Sequence, residues 1–186
     1  MSRSLSVSMM AAVLATTASP GAGPKSQSTW PQEYSVARND AAGTLSLRTP
    51  YYSIEHDLRR GGAISRVTLT HGRAPNLLVR PIETRVRDEG GAPLTDLRDS
   101  APLVTHRAAG LNEIVMVDSS LMDAQGRASG LRVKTTFEYR WGYVKIHKEI
   151  LPPSGGVRLR ELCPVSAVLA PTLTDYGYRE GIMEEE

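Results

Sequence analysis

The stretch Leu131–Leu151, LRVKTTFEYRWGYVKIHKEIL, decides the fold. On its first arm Val133, Phe137 and Tyr139 alternate with Lys134, Glu138 and Arg140. On its second arm Val144, Ile146 and Ile150 alternate with Lys145, His147 and Glu149. Side chains on a strand point to opposite faces in turn, so each arm reads as a half-buried strand. The apolar phase is odd before Trp141-Gly142 and even after it, as a tight turn centred between those two residues requires. That turn pairs Tyr139 with Val144, Phe137 with Ile146 and Val133 with Ile150, all apolar. The same register sets Glu138 against Lys145 and Lys134 against Glu149, so it predicts a solvated face of opposite charges. A slip of one residue would set apolar side chains against charged ones. Each matched pair contributes roughly 0.2–1 kcal/mol.

Outward from this hairpin the pattern is the same. Thr44–Arg48 alternates with Leu45 and Leu47 on one face, and Tyr51–Asp57 with Tyr52, Ile54 and His56 on one face. Leu58-Arg59-Arg60-Gly61-Gly62 reads as a turn, and Ala63–Thr70 as the return strand. Pro81–Asp88 sets Ile82, Thr84 and Val86 against Glu83, Arg85 and Arg87, and Glu89-Gly90-Gly91 turns the chain. Leu111–Met122 is a long strand centred on Ile114–Val117, followed by a turn at Gln125-Gly126-Arg127. No window carries sustained 3.6-residue apolar periodicity with caps, so helices should be few and short. The expected fold is all-β, an antiparallel β-sandwich.

The N-terminus reads as an address. Arg3 precedes a mostly apolar run, Leu5–Ala18, and small residues offer cleavage sites after Ala18 or Gly23. The run is too short to span a bilayer, which takes about twenty residues, and no later segment is long enough. The organisation expected is a signal peptide over 1–23, a Pro/Gly/Ser/Gln-rich linker over 24–41 and a β-sandwich over 42–186, in a secreted or periplasmic protein.

Composition narrows the function. With 22 basic and 20 acidic residues the net charge is +2, and the longest basic run is Arg59-Arg60. Neither suggests a nucleic-acid or anionic-membrane partner, which would favour a clustered basic face. Cys163 is the one cysteine, so the chain has no internal disulfide and no Cys-rich zinc site; its apolar neighbours make it a small buried hydrophobe. The histidines His56, His71, His106 and His147 are widely spaced, so no metal site or cofactor is expected. Phosphate-loop, dinucleotide, Gly-x-Ser-x-Gly and His-Glu-x-x-His motifs are absent from the sequence.

The set that points to a ligand is aromatic. Trp141 and Tyr143 lie at the hairpin tip, and Tyr176 and Tyr178 flank Gly177 beside Arg179. An exposed ring covers the C–H face of a sugar while neighbouring polar groups bind its hydroxyls, so these five residues are the candidate polysaccharide or oligosaccharide site. The competing expectation is that Trp141 folds back to cap the core.

Tyr52-Ser53-Ile54-Glu55-His56-Asp57, then Gly61-Gly62-Ala63-Ile64-Ser65-Arg66-Val67, then Asn76-Leu77-Leu78, resembles the opening strands of galactose mutarotase-like β-supersandwich domains. The resemblance implies an accessory or catalytic part of a glycoside hydrolase, polysaccharide lyase or aldose epimerase. The epimerases' catalytic histidine in an Asn-His-Pro context has no counterpart here, so no catalytic residue carries over. Such domains need considerably more chain than 42–186, so the resemblance implies an incomplete supersandwich whose exposed edges a partner chain would cover. Two other readings stand beside the carbohydrate-binding one. A sugar epimerase or lyase would need an acid/base pair, for which His147 with Glu149 or Glu138 is the local candidate. A structural or protein-binding β domain would use its unpaired edges.

Overall fold

The hairpin forms in the register its sequence dictates. In the computed structural model, which describes residues 5–12 and 34–171, Ala128–Tyr139 and Tyr143–Leu151 pair antiparallel with Tyr139 opposite Val144, Phe137 opposite Ile146 and Val133 opposite Ile150. Glu138 faces Lys145 and Lys134 faces Glu149, as expected. The turn closes with the Arg140 amide donating to the Tyr143 carbonyl at 3.0 Å.

Around it the described strands run β1 (Leu5–Ala12), β2 (Ser35–Asn39), β3 (Thr44–Arg48), β4 (Tyr52–Asp57), β5 (Ala63–Leu69), β6 (Leu78–Asp88), β7 (Pro93–Thr95), β8 (Leu103–Ala109), β9 (Asn112–Met122), β10 (Ala128–Tyr139), β11 (Tyr143–Leu151) and β12 (Leu159–Leu169). They form two antiparallel sheets. The larger has the order β1-β11-β10-β9-β7-β6-β12, with β8 also paired to β9; the smaller is β2-β3-β4-β5. The helical content among the described residues is one 3₁₀ turn, Asp96–Arg98, capped by the Thr95 hydroxyl. The fold is therefore an all-β antiparallel sandwich.

Inward-facing residues of the two sheets meet in one cluster. Leu45, Leu47, Tyr52, Ile54 and Ile64 of the smaller sheet pack with Val115, Val117, Phe137, Tyr139, Val144 and Ile146 of the larger. A second cluster, built on Val86, Leu94, Leu121, Leu131, Val133 and Ile150, lies within the larger sheet's territory. Burying one such side chain is worth roughly 1.5–3 kcal/mol, so the alternation seen in the sequence is also the main source of stability.

Two features of the sequence now have a mechanical reason. At Gly61 (φ +66°) an added Cβ would stand 2.3 Å from the Asp96 carbonyl oxygen, and at Gly62 (φ +61°) one would stand 2.9 Å from Val104 and Val117. The Gly-Gly turn is thus required both by its left-handed backbone and by its close packing against the 3₁₀ turn, β8 and β9. Asn76 caps β5: its Oδ1 accepts from the Val67 and Leu78 amides at 3.0 Å each, and its Nδ2 donates to the Ser65 carbonyl at 3.2 Å. One amide side chain thereby satisfies the backbone of β5 where a further strand would otherwise lie.

The sheet begins earlier in the chain than the composition suggests. β2 lies inside the Pro/Ser-rich 24–41 segment read as a linker, and it pairs along all five of its residues with β3. Its burial is nearly uniform and exposed, so alternation gives no sign of it; backbone pairing to β3 supplies what its side chains do not. Leu5–Ala12, within the apolar run read as a signal peptide, lies along β11 from Leu5 opposite Ile150 to Ala12 opposite Tyr143. No described helix is long and apolar enough to cross a membrane.

Candidate functional site

The β10–β11 tip gathers ring and polar groups. Glu138 precedes the turn on the outer face of β10, and its Oε1 accepts from Arg140 Nε at 2.9 Å and Nη2 at 2.6 Å. The same oxygen accepts from Asn112 Nδ2, at the start of β9, at 3.0 Å. The Arg140 guanidinium carbon in turn lies 5.6 Å from the centre of the Tyr143 ring. This cation–π contact occupies one face of that ring. Trp141 is half-buried at the turn itself.

Tyrosines anchor the tip from below. Tyr52 on β4 sends its hydroxyl across to the Arg140 carbonyl, which accepts at 2.5 Å. The neighbouring Tyr34 hydroxyl is buried without a hydrogen-bond partner among the described residues. Burial raises the Tyr34 pKa; the charge of Glu113 raises it further and that of Arg140 opposes the rise. Both charges therefore act on this hydroxyl. Glu113 is itself held by His106 Nε2 at 2.6 Å, from β8, where His106 lies opposite Val115. One end of the sandwich thus presents Tyr143, Trp141, an Arg–Glu–Asn set and a His–Glu pair.

Of the five candidate sugar-binding residues, Trp141 and Tyr143 come together at this tip. Tyr176, Tyr178 and Arg179 lie outside the described residues. The sequence reading missed Arg140, Asn112, Tyr34, His106 and Glu113. It assigned Glu138 to its cross-strand partner Lys145, whereas the carboxylate turns along its own strand to Arg140. The Glu-x-Arg spacing of 138 and 140 was the available signal, since residues two apart on a strand share a face. The acid/base candidates do share the outer face. His147 stands 3.3 Å from Glu149, and with Thr136, Glu138 and Lys145 it lines a shallow depression.

Two other polar groups lie fully inside and are structural. His56 Nδ1 bonds the Gly62 carbonyl at 2.8 Å and Nε2 bonds the Tyr139 hydroxyl at 2.5 Å. A carbonyl only accepts, so Nδ1 carries the proton and Tyr139 donates to Nε2. Burial lowers the His56 pKa to about 4, against the opposing effect of the Gly62 bond. Lys148 also points inward, with Nζ 2.5 Å from Thr84 Oγ1 and 3.5 Å from Asp96 Oδ2. Among the described residues no three His, Cys, Asp or Glu side chains are placed to hold a metal ion. Cys163 is half-buried, more open than the core position expected for it.

Set against protein-family models, curated proteins and solved structures, the chain matches none of them.

Proposed function

We propose that the chain is an exported carbohydrate-binding β-sandwich domain, serving as an accessory part of a polysaccharide-degrading enzyme. The observation that carries this reading is the tip of the β10–β11 hairpin. There Glu138, Arg140 and Asn112 form a hydrogen-bonded set beside the Tyr143 ring and Trp141. All three donors converge on Glu138 Oε1, which leaves Oε2 outside these bonds. A carboxylate oxygen, a guanidinium and an amide fixed beside rings suit vicinal sugar hydroxyls, because the acceptor and donors are already oriented. The resemblance of Tyr51–Leu78 to galactose mutarotase-like domains supports the same class.

The test is a thermal melt of the chain against a panel of neutral and acidic polysaccharides, since a ligand of the native state raises the midpoint by mass action. One glycan should raise it in the parent, and Tyr143→Ala and Glu138→Ala should each abolish that rise. A rise with a neutral glycan that both variants keep, or no rise with any glycan, defeats the proposal.

The His106–Glu113 contact, whose carboxylate also acts electrostatically on Tyr34, favours a second reading, a sugar epimerase or lyase working at the same end of the sandwich. An imidazole held by a carboxylate that also acts on a phenol is an arrangement for moving a proton. Turnover that Glu113→Gln removes without weakening glycan binding would select it.

A further inference from the structure

The near-balance of charge along the sequence hides a local excess in space. Arg85 and Arg87 alternate on the outer face of β6, Arg80 lies earlier on the same strand, and Arg98 ends the 3₁₀ turn. Folding brings these four guanidiniums around one cleft of about 190 Å³, in which Glu83 and Glu161 are the lining carboxylates. No basic run in the sequence announced this cluster, because strand alternation and a turn assemble it.

The arginines stand on a built floor. Glu83 is 6% exposed, and its Oε1 lies 3.7 Å from Arg80 and 3.8 Å from Arg85. Its Oε2 accepts the Thr95 hydroxyl at 2.8 Å, which fixes the carboxylate. Both arginine contacts are longer than a direct hydrogen bond, so the guanidiniums are oriented by Glu83 and keep donors for another acceptor. Arg87 pairs with Glu161 at 3.0 Å at the exposed rim. Arg98 makes no ion pair among the described residues. Among the described residues, four guanidiniums against two carboxylates leave two positive charges to be matched.

We propose that this cleft binds the carboxylate groups of an acidic polysaccharide. The planar guanidinium fork matches a carboxylate with two parallel bonds. Val86, Pro93 and Leu94 line the same cleft and offer apolar surface to sugar C–H groups. Among the described residues the lining contains no aromatic ring, which disfavours single-stranded nucleic acid, whose bases bind by stacking. The polysaccharide carrier rests on the carbohydrate reading above. The anion site does not, and it uses other residues than the hairpin tip.

The experiment is calorimetric titration of the full chain with tri-galacturonate, its methyl ester, a small dicarboxylate and a short single-stranded oligonucleotide. Expected is binding of the acid, lost with the ester and weakened by salt. Arg85→Gln and Arg98→Gln should each weaken it about tenfold or more, in line with the worth of a hydrogen bond to a charged group. Arg98→Gln breaks no ion pair among the described residues, so it keeps the test valid even where Arg85→Gln disturbs folding. Tyr143→Ala should leave the acid's affinity at this cleft unchanged. Equal binding of acid and ester, or binding indifferent to both arginine variants, overturns the site. Arginine-dependent binding of the dicarboxylate alone, or tighter binding of the oligonucleotide than of the acid, overturns the polysaccharide assignment. Glycan binding that only Tyr143→Ala removes overturns the cleft and leaves the hairpin-tip reading standing.

Discussion

His56 on β4 and Lys148 on β11 are both inward-facing and almost wholly buried, at 0% and 4% exposure, yet the sandwich accommodates them in opposite ways. His56 is kept neutral. One carbonyl and one hydroxyl satisfy its two nitrogens, and the edge of its ring meets Phe137 with centroids 4.9 Å apart. Lys148 is met by a carboxylate. Asp96 supplies the opposite charge, and the Thr84 amide donates to Asp96 Oδ1 at 2.9 Å, so the acid is held from both sides. A neutral polar group needs partners in number only and can sit within the inter-sheet apolar cluster. A charged one needs a counter-charge, which brings the 3₁₀ turn and β6 into the interior with it. Burial lowers the Lys148 pKa, while Asp96 acts against that shift.

The second arrangement also explains the arginine cleft. Neighbouring residues of β6, and of the junction between β7 and the 3₁₀ turn, face opposite ways: Thr84 and Asp96 turn inward to Lys148, while Glu83 and Thr95 turn outward beneath Arg80 and Arg85. β6 and the adjoining 3₁₀ turn thus carry two buried carboxylates, one on each side. The inner one neutralises the core lysine, and the outer one orients the surface arginines. Stability and binding are joined at this place, whereas the His56 group serves packing alone.

The largest effect should come from breaking the charged pair. Lys148→Met leaves Asp96 buried without its counter-charge and should cost about 3–5 kcal/mol in denaturant unfolding. Adding Asp96→Asn to that variant should restore much of the loss, because it removes the orphaned charge and keeps an oxygen for the Thr84 amide. Should the double variant be no more stable than the single one, the counter-charge argument is wrong and the lysine matters by its packing alone.

The neutral site should show itself in acid. The His56 pKa is lowered to about 4 from 6.5, so below pH 6.5 the unfolded chain binds a proton that the folded chain refuses. Its contribution is complete above pH 6.5 and declines as the pH falls towards 4. There the loss reaches about 3 kcal/mol, because each pH unit between the two values is worth about 1.4 kcal/mol. Carboxylates titrate near the lower end, so the decisive measurement is the slope of unfolding free energy between pH 6.5 and 5 in the parent and in His56→Asn. An unchanged slope would mean that His56 is not the group responsible.

This contrast also marks what could be read from the sequence. Alternation located β3, β4, β5, β9 and the β10–β11 hairpin with its register, because in each the inward positions are mostly apolar. His56 was legible as inward, since Tyr52 and Ile54 set the phase of its strand. Lys148 sits at an equally inward position, opposite Thr135, but a lysine in the apolar phase reads as noise unless Asp96 is known to lie across from it. The same limit hid β2, whose mostly exposed side chains give no phase, and β12, whose pairing with β6 is broken by repeated register shifts. At the hairpin tip Trp141 and Tyr143 were legible as turn residues. Asn112, His106 and Glu113 were not, because they reach the site through β8 and β9 and have no local pattern of their own.

The smallest of the three effects tests whether the neutral group is as self-contained as its geometry implies. Tyr139→Phe removes the hydroxyl that donates to His56 Nε2 and leaves the ring in place. The imidazole then has a buried acceptor with no donor, a loss of about 1–3 kcal/mol. Because the lost bond stabilised only the neutral ring, the His56 pKa should also rise from about 4 towards its ordinary value, without reaching it while burial persists. NMR titration of the imidazole separates these consequences from a mere packing defect, which would lower stability and leave the pKa where it was. A cost of that size with an unmoved pKa would show that the Tyr139 hydroxyl bonds elsewhere, and that the tautomer assigned to His56 is the wrong one.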